Sequence, residues 1–179
     1  MLQNSRLNRA LETIADDTAQ ITDDMQRMLA VDTCFPPGNG YGQFSDLMTQ
    51  LLAPMNFSFQ RVSVPEDLWQ APDGSAYGER VNLLATLNCG AAENCNLYFH
   101  TDTVPAGDGW RFPPLALTVA EGKLFGRGAA DMKGTIVAAM AAIRAAQACN
   151  LPLRFNPVFL LCTDEEGGLY PGIRYLAEQ

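Results

Sequence analysis

The spacing of hydrophobic residues along the chain predicts several helices. Apolar residues recur every three or four positions over 5–31, which indicates one helix or two, and Thr22 could begin the second. Aspartates fall largely between these apolar positions, as expected of a solvated helix face or a local helix cap. The same spacing predicts helices over 42–53, 132–149 and 171–179, and the segment 132–149 is very rich in alanine.

Shorter apolar runs between these helices predict strands, at 57–64, 81–87, 97–99 and 157–162. The last run lacks polar alternation, which is typical of a strand that is covered on both faces. Loops are predicted where Gly, Pro and polar residues gather, at 34–40, 65–79, 89–96 and 103–130, with a hairpin around 121–123. Because helices and buried strands alternate, the sequence predicts an α/β fold with a mixed or parallel sheet.

Composition and charge restrict the class of protein. The chain has 179 residues, and 47% of them are apolar, which suits a single globular domain over 1–179. We interpret 1–24 as an N-terminal helical extension of that domain. The net charge of −8 opposes binding to nucleic acid or to an anionic membrane surface. No apolar run reaches the roughly 18 residues of a membrane span, so we expect neither partner.

The cysteines and the N-terminus indicate the compartment. The first 24 residues are polar and acidic and lack the apolar centre of a secretory signal. No two cysteines are separated by two residues, which excludes a zinc ribbon or a thioredoxin-like motif. We therefore expect free thiols and a cytoplasmic protein. The five cysteines are Cys34, Cys89, Cys95, Cys149 and Cys162.

Potential metal ligands gather in three segments, each of which lies where a strand ends or a helix begins. In the first, His100 is the only histidine of the chain and directly follows the predicted strand 97–99. Imidazole is a common ligand of zinc. Asp102 points to the same side of an extended chain and could accept the other ring N–H. The alternative is a surface or helix-capping histidine.

The second segment, 126–134, leads into the alanine-rich helix and places Asp131 at its N-terminus. A plain helix N-cap is the alternative interpretation of this aspartate. The neighbouring glycines let the backbone approach another group closely. A carboxylate in this position could also bridge two cations through its two oxygens.

The third segment, 163–168, follows the strand 157–162 and contains Asp164, Glu165 and Glu166. Adjacent carboxylates repel one another and are best tolerated where a cation or solvent neutralises them. An acidic surface turn is the alternative. Because adjacent side chains diverge, one glutamate could hold a metal while the other transfers protons. Together, the three segments suit a hydrolytic metal site built from His, Asp and Glu without cysteine.

The order of these motifs resembles one family, the co-catalytic metallopeptidases and amidohydrolases that include acetylornithine deacetylase, succinyl-diaminopimelate desuccinylase, aminoacylase and glutamate carboxypeptidase. The resemblance extends from about Met25 to the end of the chain. It implies a three-layer mixed sheet flanked by helices. The matching segments are 32–33, 36–38, 80–83, 100–107, Trp110, 122–134 and 163–167.

The resemblance implies a role for each candidate residue. His100 is expected to bind one zinc ion, Glu166 the second, and Asp131 to bridge the two. Asp102 is expected to orient His100, and Glu165 to act as the general base. Two divalent metal ions are implied, zinc first, with cobalt or manganese as alternatives for a mixed nitrogen and oxygen site. The peptide bond after Asp131 is expected to be cis, as in relatives.

The implied reaction is hydrolysis of an amide bond in an N-acyl amino acid or a small peptide. A water that bridges the two metals would lose its proton readily. The general base would accept this proton and pass it to the leaving amine. Deacylase, desuccinylase and carboxypeptidase activities all stay open, and full-length relatives are often homodimers.

The sequence departs from the family in two ways. Relatives have a further acidic ligand beyond the double glutamate and a histidine near the C-terminus, whereas this chain has one histidine in total. The inserted lid domain of the family and its closing strands are absent as well. We therefore expect an incomplete N-terminal part of a dinuclear-zinc hydrolase catalytic domain, which by itself binds metal weakly and hydrolyses little. The competing hypothesis is a non-catalytic fold remnant that acts as a binding or assembly module.

Overall fold

The fold is a mixed sheet with helices on both faces. The computed structural model describes residues 2–70 and 73–179, with side chains from residue 5 onward. In this part of the chain it contains five α-helices and six strands: α1 (Leu2–Asp16), α2 (Thr18–Leu29), α3 (Tyr41–Leu52), β1 (Ser58–Ser63), β2 (Val81–Thr86), β3 (Asn94–His100), β4 (Thr118–Ala120), β5 (Lys123–Phe125), α4 (Lys133–Ala148), β6 (Asn156–Cys162) and α5 (Pro171–Ala177).

The main sheet has the strand order β1-β2-β6-β3. Strand β2 pairs antiparallel with both β1 and β6, whereas β3 pairs parallel with β6. The sheet is therefore mixed, which confirms the first of the two predicted alternatives. His100 lies opposite Cys162 in the parallel pair. Consequently the residues that follow β3 and β6 leave the sheet at the same edge, next to each other. Strands β4 and β5 form a separate antiparallel hairpin, as predicted around 121–123.

Alternate positions of the strands face two different layers. Leu83, Phe99 and Phe159 face the main core, which also contains buried side chains of α2, α3 and α4. The ring of Phe159 packs edge-on against Phe99, with 5.0 Å between the centroids. Residues of the opposite face, such as Leu84 and Leu160, line a cleft together with side chains of α5. The small alanine side chains of α4 are compatible with its burial in this core.

Helix α2 begins earlier than the sequence predicted, at Thr18 rather than at Thr22. The Asp17 backbone carbonyl accepts the N–H of Ile21 at 3.0 Å, which starts the helix. The expectation that the aspartates lie on a solvated face is wrong for Asp24, which is 1% exposed. Its carboxylate accepts a hydrogen bond of 2.7 Å from Arg144 of α4. This ion pair attaches α2 to α4.

Strand β3 is longer than predicted, because it begins at Asn94 rather than at Leu97. Its first three residues are polar or small, and they are exposed at the edge of the sheet. Pairing with β6, rather than burial of side chains, makes this segment a strand. In the predicted loop 65–79, a 3-10 helix forms at Glu66–Leu68, and positions 71–72 lie outside the described residues.

Two further observations concern the cysteines and the helices. All five cysteines are free, as the sequence predicted. Within the described residues, none of the helices combines the length and the apolar character that crossing a membrane requires.

Candidate metal centre

His100 ends β3 with its imidazole ring directed into the edge of the sheet where the three predicted segments meet. The residue is 4% exposed. Its Nε2 lies 2.9 Å from Oδ1 of Asp131. Its Nδ1 lies 3.1 Å from the backbone oxygen of Asp102 and 3.6 Å from the Asp102 carboxylate. The backbone oxygen is thus the nearer partner of Nδ1, and the alternative of a surface histidine is excluded.

Asp131 lies just before α4, and its side chain is 77% exposed. The N-cap of α4 is Met132, and this cap has no side-chain hydrogen bond. The interpretation of Asp131 as a plain helix cap is therefore wrong. The peptide bond between Asp131 and Met132 is cis, as the family resemblance implied. The carboxylate is held by His100 and otherwise faces outward.

Glu166 lies on the loop that follows β6, and it is connected to the first segment through the backbone. Its N–H donates to Oδ2 of Asp102 at 2.8 Å. Asp102 is 1% exposed, and its other oxygen, Oδ1, has no hydrogen-bond partner among the described residues. Asp102 therefore contacts both candidate ligands, the imidazole of His100 and the backbone of Glu166.

The structure brings three of the predicted residues into one cluster. Ligand atoms of His100, Asp131 and Glu166 all lie within 4.8 Å of one another, and this is the one such group found in the described part of the chain. One imidazole nitrogen and two carboxylates form the mixed donor set that catalytic zinc sites use. The residues present therefore fit a divalent cation.

The electrostatics of the cluster also suit a cation. Burial raises the pKa of Glu166, and the charges of Asp131 and Asp102 raise it further, against the opposing effect of His100. Burial lowers the pKa of His100, but its interactions with Asp102 and Asp131 outweigh this effect and raise the pKa to about 9. Without a metal, the proton on His100 thus supplies the positive charge that these carboxylates require.

The loop 163–172, which we call the acidic loop, contains three adjacent carboxylates that have different surroundings. Asp164 is buried and forms an ion pair of 2.5 Å with Arg80, so a side chain rather than a cation or solvent neutralises it. Glu165 and Glu166 are half-buried. Among the described residues, Glu165 has no ion-pair partner. The three adjacent carboxylates therefore have different environments, and a separate task for each glutamate stays a prediction.

Two buried contacts support the turn that carries Asp131. Lys133 is 2% exposed, and its Nζ donates to the carbonyl oxygens of Met28 and Val31 at 3.0 Å each. These bonds attach the start of α4 to the end of α2. Gly128 has a φ of +79°, and a Cβ atom there would lie 2.7 Å from the methyl group of Thr103. The turn therefore requires glycine both for its conformation and for its close approach to the neighbouring segment.

Sequence comparison identifies the family to which this site belongs. A profile of the family described as Peptidase family M20/M25/M40 matches residues 96–179. This part of the chain belongs to the M20 peptidases. The matched segment contains all five candidate site residues, from His100 to Glu166. The family resemblance drawn from the motifs is thus confirmed.

Curated relatives of this M20 segment include two kinds of deacylase. The chain is 41% identical over 115 residues to succinyl-diaminopimelate desuccinylase of Rhodospirillum rubrum. The aligned region covers 60% of this chain and 29% of that protein. It is 36% identical over 133 residues to acetylornithine deacetylase of Proteus mirabilis. Here the aligned region covers 74% of this chain and 31% of that protein. The chain thus spans about a third of the length of these relatives.

A solved dipeptidase structure shows the same fold. The di-peptidase Dug1p of Saccharomyces cerevisiae superimposes with a TM-score of 0.84 at 19% identity, covering 99% of this chain and 38% of that protein. This likeness supports the α/β architecture over nearly the whole chain, including segments that precede the matched family region.

Sequence reasoning missed the groups that hold the acidic loop in place. Arg80 and Asn82 are 1% and 0% exposed, and both contact the segment after β6. Arg80 directly precedes the predicted strand 81–87 and Asn82 lies within it, which gave a signal, because an arginine or asparagine that is buried requires partners. The sequence did not reveal which partners these are.

Proposed function

We propose that this chain carries part of the active site of a metal-dependent hydrolase that cleaves amide bonds. The observation that supports this most directly is the convergence of His100, Asp131 and Glu166, whose ligand atoms lie within 4.8 Å of one another. The three residues come from three separate segments of the chain. A coincidental acidic turn would not bring the only histidine of the chain into contact with carboxylates of two other segments.

The donor set suits two divalent ions, with zinc as the first choice. His100 would bind one ion, Glu166 the other, and the exposed carboxylate of Asp131 would bridge them. Asp102 would act as the residue that orients His100. When bound, such ions lower the pKa of a shared water and polarise the carbonyl group of the substrate.

Glu165 is proposed as the general base. It is adjacent to Glu166 on the same loop and has no ion-pair partner among the described residues. A carboxylate that is not neutralised by a cationic side chain is able to accept a proton from the attacking water. Glu165 would then transfer this proton to the nitrogen of the leaving amine as the amide bond breaks.

We propose an N-acyl amino acid or a small peptide as the substrate. The names of the curated relatives support this class, because one is a desuccinylase and the other a deacetylase of amino acids. A homodimer is proposed by analogy with the family. The five free thiols suit a reducing compartment, so we place the protein in the cytoplasm.

A second candidate function is a non-catalytic binding or assembly module. It is favoured by the number of ligands, because the cluster contains three in the described part of the chain. Two catalytic ions with three protein ligands each would need more, even when one carboxylate is shared. The chain by itself is therefore proposed to bind metal weakly and to have little activity.

The test combines zinc binding with hydrolysis. Zinc titration of the purified chain should show binding that Glu166→Gln weakens. Release of amine from N-succinyl-diaminopimelate and N-acetylornithine should be slow, dependent on zinc and abolished by Glu165→Gln. Zinc binding at this cluster without any hydrolysis would favour the binding module. Absence of zinc binding would refute both the metal site and the hydrolase. Tight, stoichiometric zinc binding with rapid turnover would show that no further ligands are needed.

A further inference from the structure

The first anchor of the acidic loop is Arg80, which lies immediately before β2. Its Nε donates to Oδ2 of Asp164 at 2.5 Å. Its two Nη atoms donate to backbone oxygens of Pro37, Gly38 and Tyr77 at 2.9, 3.3 and 2.8 Å. Four of the five N–H groups of the guanidinium thus donate hydrogen bonds, although the side chain is fully buried. Such a group has one orientation, and it fixes the carboxylate that it contacts.

Aromatic rings hold Arg80 from the sides. The guanidinium carbon lies 4.3 Å from the centroid of Trp69, 5.2 Å from that of Tyr41 and 5.6 Å from that of Phe35. Tyr41 also contacts the loop directly, because its hydroxyl donates to Oδ1 of Asp164 at 2.5 Å. Both oxygens of Asp164 are therefore fixed. Burial raises the pKa of Asp164, and the hydrogen bonds from Tyr41 and Arg80 act against this increase.

The second anchor is Asn82, two residues further along the chain. Its Oδ1 accepts the N–H of Thr163 at 3.2 Å, and its Nδ2 donates to the carbonyl oxygen of Gly172 at 3.0 Å. Thr163 directly follows β6, and Gly172 lies in the first turn of α5. One fully buried amide thus joins the two ends of the loop 163–172.

We propose that Arg80 and Asn82 are positioning residues, which hold the loop 163–172 so that Glu165 and Glu166 face His100 and Asp131. The proposal rests on the proposed function for its catalytic consequence, but not for its structural part. Neither residue contacts the metal cluster itself. Their effect passes through Asp164, Thr163 and Gly172. In metal sites, substitution of a group that orients a ligand commonly lowers metal affinity about 10–100-fold.

The test uses a double variant, Arg80→Met with Asp164→Asn, which removes the ion pair without leaving a buried unpaired charge. Asparagine is chosen because position 164 has a φ of +57°, which asparagine tolerates. The matched control is Arg144→Met with Asp24→Asn, which removes the ion pair of another buried aspartate, between α4 and α2, together with the contact between Arg144 and Asp17.

Hydrogen exchange of the metal-free full chain reads out the loop directly. The N–H groups of Thr163, Glu166 and Gly168 are hydrogen-bonded in the structure and report on its order. We expect exchange in 163–172 to be at least about tenfold faster in the double variant Arg80→Met with Asp164→Asn, with α4 unchanged. The control should leave exchange in 163–172 like that of the wild type. Unchanged loop exchange, or equal acceleration throughout the chain, would overturn the proposal. If the double variant does not fold, Asn82→Ala applies the same test at the second anchor.

Zinc titration of the same variants separates this inference from the proposed function. The double variant Arg80→Met with Asp164→Asn should have a zinc affinity at least about tenfold lower than that of the control. Arg80→Lys keeps the positive charge but has fewer hydrogen-bond donors, so its zinc affinity should lie between those of the double variant and the control. Wild-type zinc affinity in a variant with a mobile loop would refute the link to the site. If even the wild type binds no zinc, the proposed function fails, while the exchange measurement still decides whether Arg80 and Asn82 order the loop.

Discussion

The carboxylate of Asp131 lies 2.9 Å from Nε2 of His100, although 31 positions separate the two residues in the sequence. His100 ends a strand, whereas Asp131 lies on the turn that begins α4. Their contact therefore depends on how α4 packs on the sheet. Lys133 attaches the start of α4 to the end of α2. Substitutions that loosen this attachment should therefore also alter the contact between Asp131 and His100.

Removal of one candidate ligand should weaken zinc binding. We expect His100→Gln and Asp131→Asn each to reduce zinc affinity by about 100-fold, since each removes a direct ligand rather than a group that orients one. Isothermal titration calorimetry measures the change. Asp108→Asn, at an exposed carboxylate outside the cluster, is the control and should bind like the wild type. Equal affinity in all three variants would contradict the assignment.

The two adjacent glutamates should differ in effect. Glu165→Gln is expected to leave zinc affinity within about threefold of the wild type and to remove hydrolysis, because it eliminates the base and no ligand. Glu166→Gln is expected to lower zinc affinity, with hydrolysis falling as a consequence. Parallel zinc titrations and amine-release assays make the comparison. If Glu165→Gln lowered zinc affinity more than Glu166→Gln, the roles would have to be exchanged.

The stability of the metal-free chain should depend on pH through His100. Its pKa is raised to about 9 in the fold, against an ordinary value of 6.5. The protonated ring therefore stabilises the fold fully below pH 6.5, and this contribution is lost as the pH rises through 9. Urea unfolding in the presence of a chelator should show a stability difference between wild type and His100→Gln that decreases by about 1–3 kcal/mol between pH 6 and 10. A difference that is constant with pH would contradict the assignment of this shift to His100.

Lys133 should be important for folding stability. Lys133→Met keeps the length of the side chain but leaves the carbonyl oxygens of Met28 and Val31 without their donor. We expect a loss of about 1–3 kcal/mol in the free energy of unfolding, measured by urea denaturation. Lys123→Met, at an exposed lysine of β5, is the matched control and should change stability little. Equal stability of the two variants would show that these hydrogen bonds contribute nothing net.

Gly128 should not tolerate a side chain. Gly128→Ala combines a positive φ with a contact of 2.7 Å between the new Cβ and the Thr103 methyl group. Gly122→Ala has a similar φ of +69° but open space around the Cβ position, so it isolates the conformational cost. We expect Gly128→Ala to be the more destabilising by about 1–3 kcal/mol in urea unfolding.

Thr103→Ser, which removes the methyl group, should recover part of this loss in the double variant with Gly128→Ala. Failure of this rescue would place the strain elsewhere in the turn.

Much of the architecture could be predicted from local patterns. The three-to-four-residue spacing located the helices, and the unbroken apolar run of β6 indicated a strand covered on both faces. Less regular segments could not be predicted in this way. The polar start of β3 forms a strand only because its backbone pairs with β6. Asp24 resembled a solvated residue because its partner, Arg144, lies 120 positions away.

The types and order of His100, Asp131 and Glu166 were enough to identify the family and to name candidate ligands. How these residues meet, and which groups hold them, became visible in the fold. The parallel pairing of β3 with β6 brings two segments to one edge, and Arg80 reaches Asp164 across 84 positions. Helices and short motifs depend on residues that are close to one another in the chain, so the sequence pattern predicts them. Contacts between buried polar groups depend instead on the packing of whole elements, which local patterns do not encode.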